Sequence, residues 1–235
     1  MTAGPAGRYA VAIMAKAPRR GEVKTRLVPP LTLAEATALS AAFLRDAAEN
    51  ILCAAKTAAI DGWVAYSPPG SQATFATMLP DAIRLLPSRR PGLAASLADA
   101  IEDLLAAGYA AACLVNNDSP TLPTAVLIEA VQALAAPGDR AVLGPAADGG
   151  YYLIGLKRLH RRLFEDIDWS TERVLRQTLE RAAEIGLATV TLPVWYDVDD
   201  IAALRRLAGE IVAADRNGYP APHTEAALRG LAGRL

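Results

Sequence analysis

Ala110–Pro120, AAACLVNNDSP, is a short, wholly apolar run that breaks into a polar cluster closed by proline. Six apolar residues match a strand buried on both faces and are too few for a helix. Asn116-Asn117-Asp118-Ser119-Pro120 then has to turn. Behind it, Val126, Leu127, Ala130, Val131 and Leu134 share one helical face over Pro123–Ala135, with a proline near the first turn. Strand, polar turn, helix is the unit from which α/β sheets are built.

The same unit recurs on both sides. Tyr9–Met14 (YAVAIM) reads as a strand. Thr32 and Glu35 have capping-box spacing, with Leu39, Phe43, Ala47 and Ile51 repeating behind them. Gly62–Ser67 is a second strand, Ser71–Met78 a weaker helix and Ala82–Leu86 a short strand. Leu93, Leu97, Ile101, Leu104 and Leu105 mark a helix that Gly108 ends. Ala141–Gly144 and Tyr151–Leu156 are strands, and a helix from Val174 follows Trp169-Ser170 and stops at Gly186. Leu187–Val194 is the last strand, Ile201–Ile211 the last long helix, and a mobile tail is expected from Arg216.

This alternation predicts a mostly parallel sheet covered on both faces. No repeat or linker divides the chain, so one domain is expected over residues 1–235, with its core at about 8–208 and a final helix and tail over 209–235. In such sheets the ligand lies beyond the carboxyl ends of the strands, where the order reverses.

Composition narrows the classes. With 24 Lys and Arg against 25 Asp and Glu, the chain lacks the basic excess of a nucleic-acid binder. Two cysteines, Cys53 and Cys113, sit in apolar stretches without Cys-x-x-Cys spacing, so no zinc site or disulfide framework is indicated. No apolar run reaches the roughly 18 residues of a membrane span, and the start lacks a secretory pattern, so a cytoplasmic location is expected. Neither Gly-x-Ser-x-Gly nor His-Glu-x-x-His occurs.

Four strand ends carry polar residues that can do chemistry. Ala15–Leu27, AKAPRRGEVKTRL, brings Lys16, Lys24 and Arg26 into a strand-to-helix loop, as phosphate binding requires, although a solvated basic loop explains the same content. It is neither a Walker A loop nor Gly-x-Gly-x-x-Gly. Asp118 can hold a hard divalent cation or simply cap a turn. In PAADGGYY, 145–152, Asp148 can accept a sugar hydroxyl while Gly149 and Gly150 admit a ligand, or Asp-Gly can close a hairpin. In WYDVDD, 195–200, Asp200 suits an N-cap, while Asp197 and Asp199 share one side of an extended piece, so that one of them can be a second metal ligand.

Taken in order, AKAPRRGEVKTRL, NNDSPTLP, LGPAADGGYYLIGL and DVDDIAAL resemble a bacterial family of glycosyltransferase A-like proteins in the nucleotide-diphospho-sugar transferase superfamily. The resemblance spans roughly Val11–Leu207. It implies a Rossmann-like three-layer α/β/α sandwich with a mixed sheet. It also implies a nucleotide and diphosphate held by Lys16, Lys24, Thr25, Arg26, Asn116 and Asn117. Asp148, Gly149, Gly150 and Tyr151 would meet donor sugar or acceptor, with Asp118, Asp148 and Lys24 catalytic. Asp118 matches the family's metal-binding Asp-x-Asp place, with Asn116 where the other carboxylate would stand. Asp199 matches the late residue that completes a Mg²⁺ or Mn²⁺ site.

The expected function is therefore a metal-assisted glycosyltransferase using a nucleotide-diphospho-sugar and a small-molecule acceptor. Lys-Thr-Arg-Leu is similar to 2-phospholactate guanylyltransferases and the last motif to molybdenum-cofactor guanylyltransferases, so nucleotidyl transfer with release of pyrophosphate is the alternative. A non-catalytic nucleotide-binding protein on this fold stays open too, since fold does not fix function.

Overall fold

Strand β1 (Tyr9–Lys16) shows how the sheet is built. Val11 and Ile13 belong to the apolar cluster on one face, Ala10 and Ala12 to that on the other, and all four are at most 1% exposed. Such two-sided burial needs cover on both faces. The computed structural model describes residues 6–213 and 217–231. Its remaining strands are β2 (Ile60–Ser67), β3 (Arg84–Pro87), β4 (Ala111–Val115), β5 (Arg140–Pro145), β6 (Tyr151–Leu156) and β7 (Ala188–Thr191). The helices are α1 (Leu33–Ala54), α2 (Gln72–Ala76), α3 (Leu93–Ala106), α4 (Thr124–Ala135), α5 (Val174–Glu184), α6 (Ile201–Val212) and α7 (Pro222–Arg229).

The strands form one sheet in the order β3-β2-β1-β4-β6-β5-β7. Only β6 runs antiparallel to its neighbours. Helices α1 and α4 cover one face through Leu44, Ile51, Val126, Leu127 and Val131. Helices α3 and α5 cover the other through Leu97, Ile101, Leu104 and Ala182. The fold is thus the mixed, mostly parallel α/β/α arrangement expected. All five residues of β4 are buried, as its unbroken apolar run requires. The edge strands β3 and β7 are four residues long and largely exposed, which limits edge-to-edge pairing.

Thr32 and Glu35 form the capping box at the start of α1, satisfying orphan N–H groups at a gain of about 1 kcal/mol. The first departure from expectation is at His160, whose basic neighbours Lys157, Arg161 and Arg162 suggest a surface helix from the sequence alone. It precedes a 3-10 turn (Arg161–Phe164), with Nε2 2.9 Å from an Asp139 carboxylate oxygen.

The second is the region read as a mobile tail. It contains α7, docked on α1 beside α6 in a third apolar cluster. Asp46, fully buried on α1, accepts from the backbone N–H groups of His223 at 3.0 Å and Thr224 at 2.7 Å. A carboxylate at a helix start meets the positive end of the dipole. This anchor holds a short helix that could not persist alone.

Candidate functional site

All four polar stretches reach the same edge of the sheet. Lys16 ends β1, Asn116–Ser119 follows β4, and Trp195–Asp199 follows β7. Because β6 runs backwards, it starts at this edge, and Ala146–Gly150 is the turn between antiparallel β5 and β6. The order reverses between β1 and β4, where the parallel fold places a ligand crevice.

Segment 195–198 ties these loops together. Ala147 N donates to Trp195 O at 2.9 Å, Val198 N to Asp118 O at 2.8 Å, and Ser119 Oγ to Tyr196 O at 2.9 Å. The Tyr219 N–H bonds Thr121 O at 3.0 Å, so the segment leading to α7 braces the loop carrying Asp118 from beyond.

Lys24 is the centre of the site. Its Nζ lies 2.6 Å from Asp118 Oδ1, 2.9 Å from Asp199 Oδ1 and 2.7 Å from the Val198 carbonyl oxygen. The ammonium donates hydrogen bonds to the Val198 carbonyl and Asp199 and pairs its charge with Asp118. The side chain is 6% exposed and its head lies 5.4 Å from the centre of the Phe43 ring on α1. The backbone at Lys24 is left-handed, φ 49°, which costs a non-glycine residue about 1 kcal/mol and aims the side chain inward.

One ammonium facing two carboxylates leaves an excess negative charge. Burial, with Asp199 beside it, raises the Asp118 pKa against the pull of Lys24. Burial works to lower the Lys24 pKa, but Asp118 and Asp199 outweigh it and the net direction is up. Lys16 also acts on Asp118 and stays exposed, as do Thr25 and Arg26. Asn116 donates its backbone N–H to Tyr152 O, while the buried Oδ1 of Asn117 has no partner.

Two carboxylates and a carbonyl oxygen make a hard-cation donor set, and the protein's own ammonium already stands in it. The residues fit Mg²⁺ or Mn²⁺ once that ammonium has moved. Among the described residues, the set of three ionisable groups with ligand atoms within 4.8 Å of one another lies elsewhere, at Asp46, Glu49 and His223. There Asp46 holds the start of α7 and His223 Nε2 is 2.7 Å from Glu49 Oε1.

At the β5–β6 turn, the hairpin alternative for Asp-Gly is the one found. Asp148 Oδ1 accepts the Gly150 N–H at 2.8 Å, and the residue is exposed. Gly149 has φ +90°, and a Cβ there would lie 2.2 Å from the Glu172 carbonyl oxygen. Its smallness admits the protein's own backbone. Tyr151 meets Trp169 edge-on at 6.4 Å between ring centres.

Asp197 joins this edge more firmly than its sequence suggested. The parallel bridge between Ala146 and Trp195 brings the two loops together, close enough for the charge of Asp148 to act on Asp197. Burial and the charges of Asp148, Asp199 and Asp118 push the Asp197 carboxyl up to about 6. Between the unfolded value of about 4 and that folded value, the native state holds the extra proton, so stability falls as pH rises through this window. Asp197→Asn removes the titration. Its advantage over the native protein is expected to be absent near pH 4 and to reach about 1–2 kcal/mol near pH 7.5, a figure reduced for partial exposure. Urea unfolding at both pH values checks it; an equal difference at both would remove the proposed crowding.

Residues 38–171 match a family described as an uncharacterised protein conserved in bacteria, DUF2064. The chain belongs to this family. The DUF2064 match includes Asp118 and Asp148–Tyr151 but stops short of Lys24 on one side and Asp199 on the other. No curated protein matches the chain in sequence. Among solved structures, a protein from Desulfovibrio desulfuricans G20, provisionally named a nucleotide-diphospho-sugar transferase, is 26% identical with a TM-score of 0.82, over 94% of each chain.

More distant solved structures share the fold of this chain alone. A nucleotidyl transferase from Methanothermobacter has 16% identity and a TM-score of 0.55, over 86% of this chain and 96% of its own. Glucosyl-3-phosphoglycerate synthase from Mycobacterium tuberculosis, solved with Mn²⁺ and UDP, has 12% identity and a TM-score of 0.52, over 97% of this chain and 81% of its own. Among the described residues no helix is long and apolar enough to cross a membrane.

Proposed function

We propose that this protein is a cytoplasmic transferase that takes a nucleotide-activated donor and, in the favoured reading, moves the glycosyl group of a nucleotide-diphospho-sugar to a small acceptor. The observation that carries this is the Lys24–Asp118–Asp199 centre at the strand-order reversal, flanked by exposed Lys16 and Arg26. The likeness to the Desulfovibrio protein supports the same chemistry.

In this reading Lys16 and Arg26 bind the diphosphate directly, with Thr25, Asn116 and Asn117 lining its path. Lys24 holds Asp118 and Asp199 in the absence of metal and, displaced by a metal, would add positive charge where the leaving diphosphate builds up negative charge. Asp118 and Asp199 would hold a divalent ion, Mg²⁺ or Mn²⁺, which would supply Lewis-acid stabilisation of the departing phosphate. Asp148 uses its carboxylate to orient a sugar or acceptor hydroxyl, with Gly149, Gly150 and Tyr151 shaping that side. Asp197, its carboxyl pushed up to about 6, is mostly ionised at neutrality and can take a proton from the acceptor.

Nucleotidyl transfer is the second reading, supported by the fold shared with the Methanothermobacter enzyme. The same cations would then face pyrophosphate as leaving group. Chromatography of products after incubation with nucleotide sugars and nucleoside triphosphates separates the two. Release of nucleoside diphosphate supports glycosyl transfer, pyrophosphate supports the second reading, and no release from either panel contradicts both.

A further inference from the structure

We infer that Lys24 is the resident cation of the Asp118–Asp199 pair, and that in the ligand-free protein it excludes divalent metal from those two carboxylates. Metal and ammonium compete for the same oxygens, so this edge of the sheet carries a built-in switch between an internal and an external cation.

Three observations converge. The ammonium donates to Val198 O and Asp199 Oδ1 at 2.7 and 2.9 Å and forms an ion pair with Asp118 Oδ1 at 2.6 Å, so it is a full occupant of the place. The side chain is 6% exposed, its ammonium lies 5.4 Å from the centre of the Phe43 ring, and the backbone at residue 24 is left-handed. A flexible surface lysine has neither constraint. Finally, no third carboxylate or histidine closes a ligand set around this pair among the described residues. The pair is spaced for an ammonium, not preformed for a six-coordinate ion.

The charge balance makes the exchange feasible. One lysine against two aspartates, with Asp197 and Asp148 in the same field, leaves the edge negative and attractive to a second cation. Expelling Lys24 without a replacement leaves two neighbouring, partly exposed carboxylates with no cation between them, so departure of the ammonium and arrival of metal are coupled. The inference holds for either transfer reaction, because its readouts are metal binding and lysine reactivity.

Manganese is the probe, and the free ion is counted by electron paramagnetic resonance. Lys24→Met is expected to bind Mn²⁺ at least tenfold more tightly than the unaltered protein. Adding Asp118→Asn to that variant should abolish the gain, which separates this pair from Asp46, Glu49 and His223. Equal Mn²⁺ affinity with and without Lys24 overturns the inference. A second measurement needs no variant: acylation of lysines by an N-hydroxysuccinimide ester, mapped by mass spectrometry. Lys24 should react at least tenfold more slowly than exposed Lys16 in metal-free protein. Labelling of both at one rate overturns the inference even if Lys24→Met fails to fold.

Discussion

Asp118→Ala is expected to cut turnover, whichever group is transferred, by at least about 100-fold, as removal of a charge-positioning group at the reacting centre does. The same change should lower stability by about 2–3 kcal/mol. Lys24 loses its shortest contact, 2.6 Å, and keeps Asp199 and the Val198 carbonyl. Lys24 is only 6% exposed, so taking away one of its two carboxylates leaves a buried charge less well compensated. Asp118→Asn keeps the shape and should recover part of the stability but little of the turnover. Unaltered turnover in Asp118→Ala, measured with whichever donor is active, would remove Asp118 from the centre.

Gly149→Ala is the second large effect, and it acts through backbone. Its φ of +90° already disfavours any L side chain, and the new Cβ would lie 2.2 Å from the Glu172 oxygen and 2.7 Å from the Glu172 Cα. Neither atom belongs to a flexible side chain that can step aside. Strain and overpacking together predict a loss of about 3–5 kcal/mol, or a melting temperature lower by roughly 10 °C. The Gly149 carbonyl also accepts the Leu175 N–H at 3.0 Å, so a shifted turn disturbs the start of α5 and misplaces Asp148. Gly186→Ala is the control: φ there is +64° but nothing lies within 4 Å, so only about 1 kcal/mol should be lost. Similar melting temperatures for the two variants in calorimetry would contradict the close approach.

Local signals in the sequence carried most of the fold. The Thr32–Glu35 box, the apolar run of β4 and the Gly108 stop each act within a few residues, so a linear reading can find them. The direction of β6 was less legible, because YYLIGL is equally apolar in either sense and only Asp148-Gly149 hints at a hairpin. α7 escaped because its eight residues hold few large apolar groups; what keeps it is Asp46, a buried carboxylate on a distant helix. The site divided in the same way. Its strand ends were visible as polar breaks after apolar runs. Lys24's partners were not, since its bonds span 174 and 175 residues and one acceptor is a backbone carbonyl with no residue signature.

The central claim is that a nucleoside diphosphate settles at the carboxyl edge between β1 and β4. A crystal soaked with uridine or guanosine diphosphate tests it most directly. The account predicts phosphate density within hydrogen-bond reach of Lys16 and Arg26 and beside Asp118. Density instead at the surface group of Arg89, Arg90 and Arg161, whose charges here are taken by Asp99 and Glu102, would contradict it.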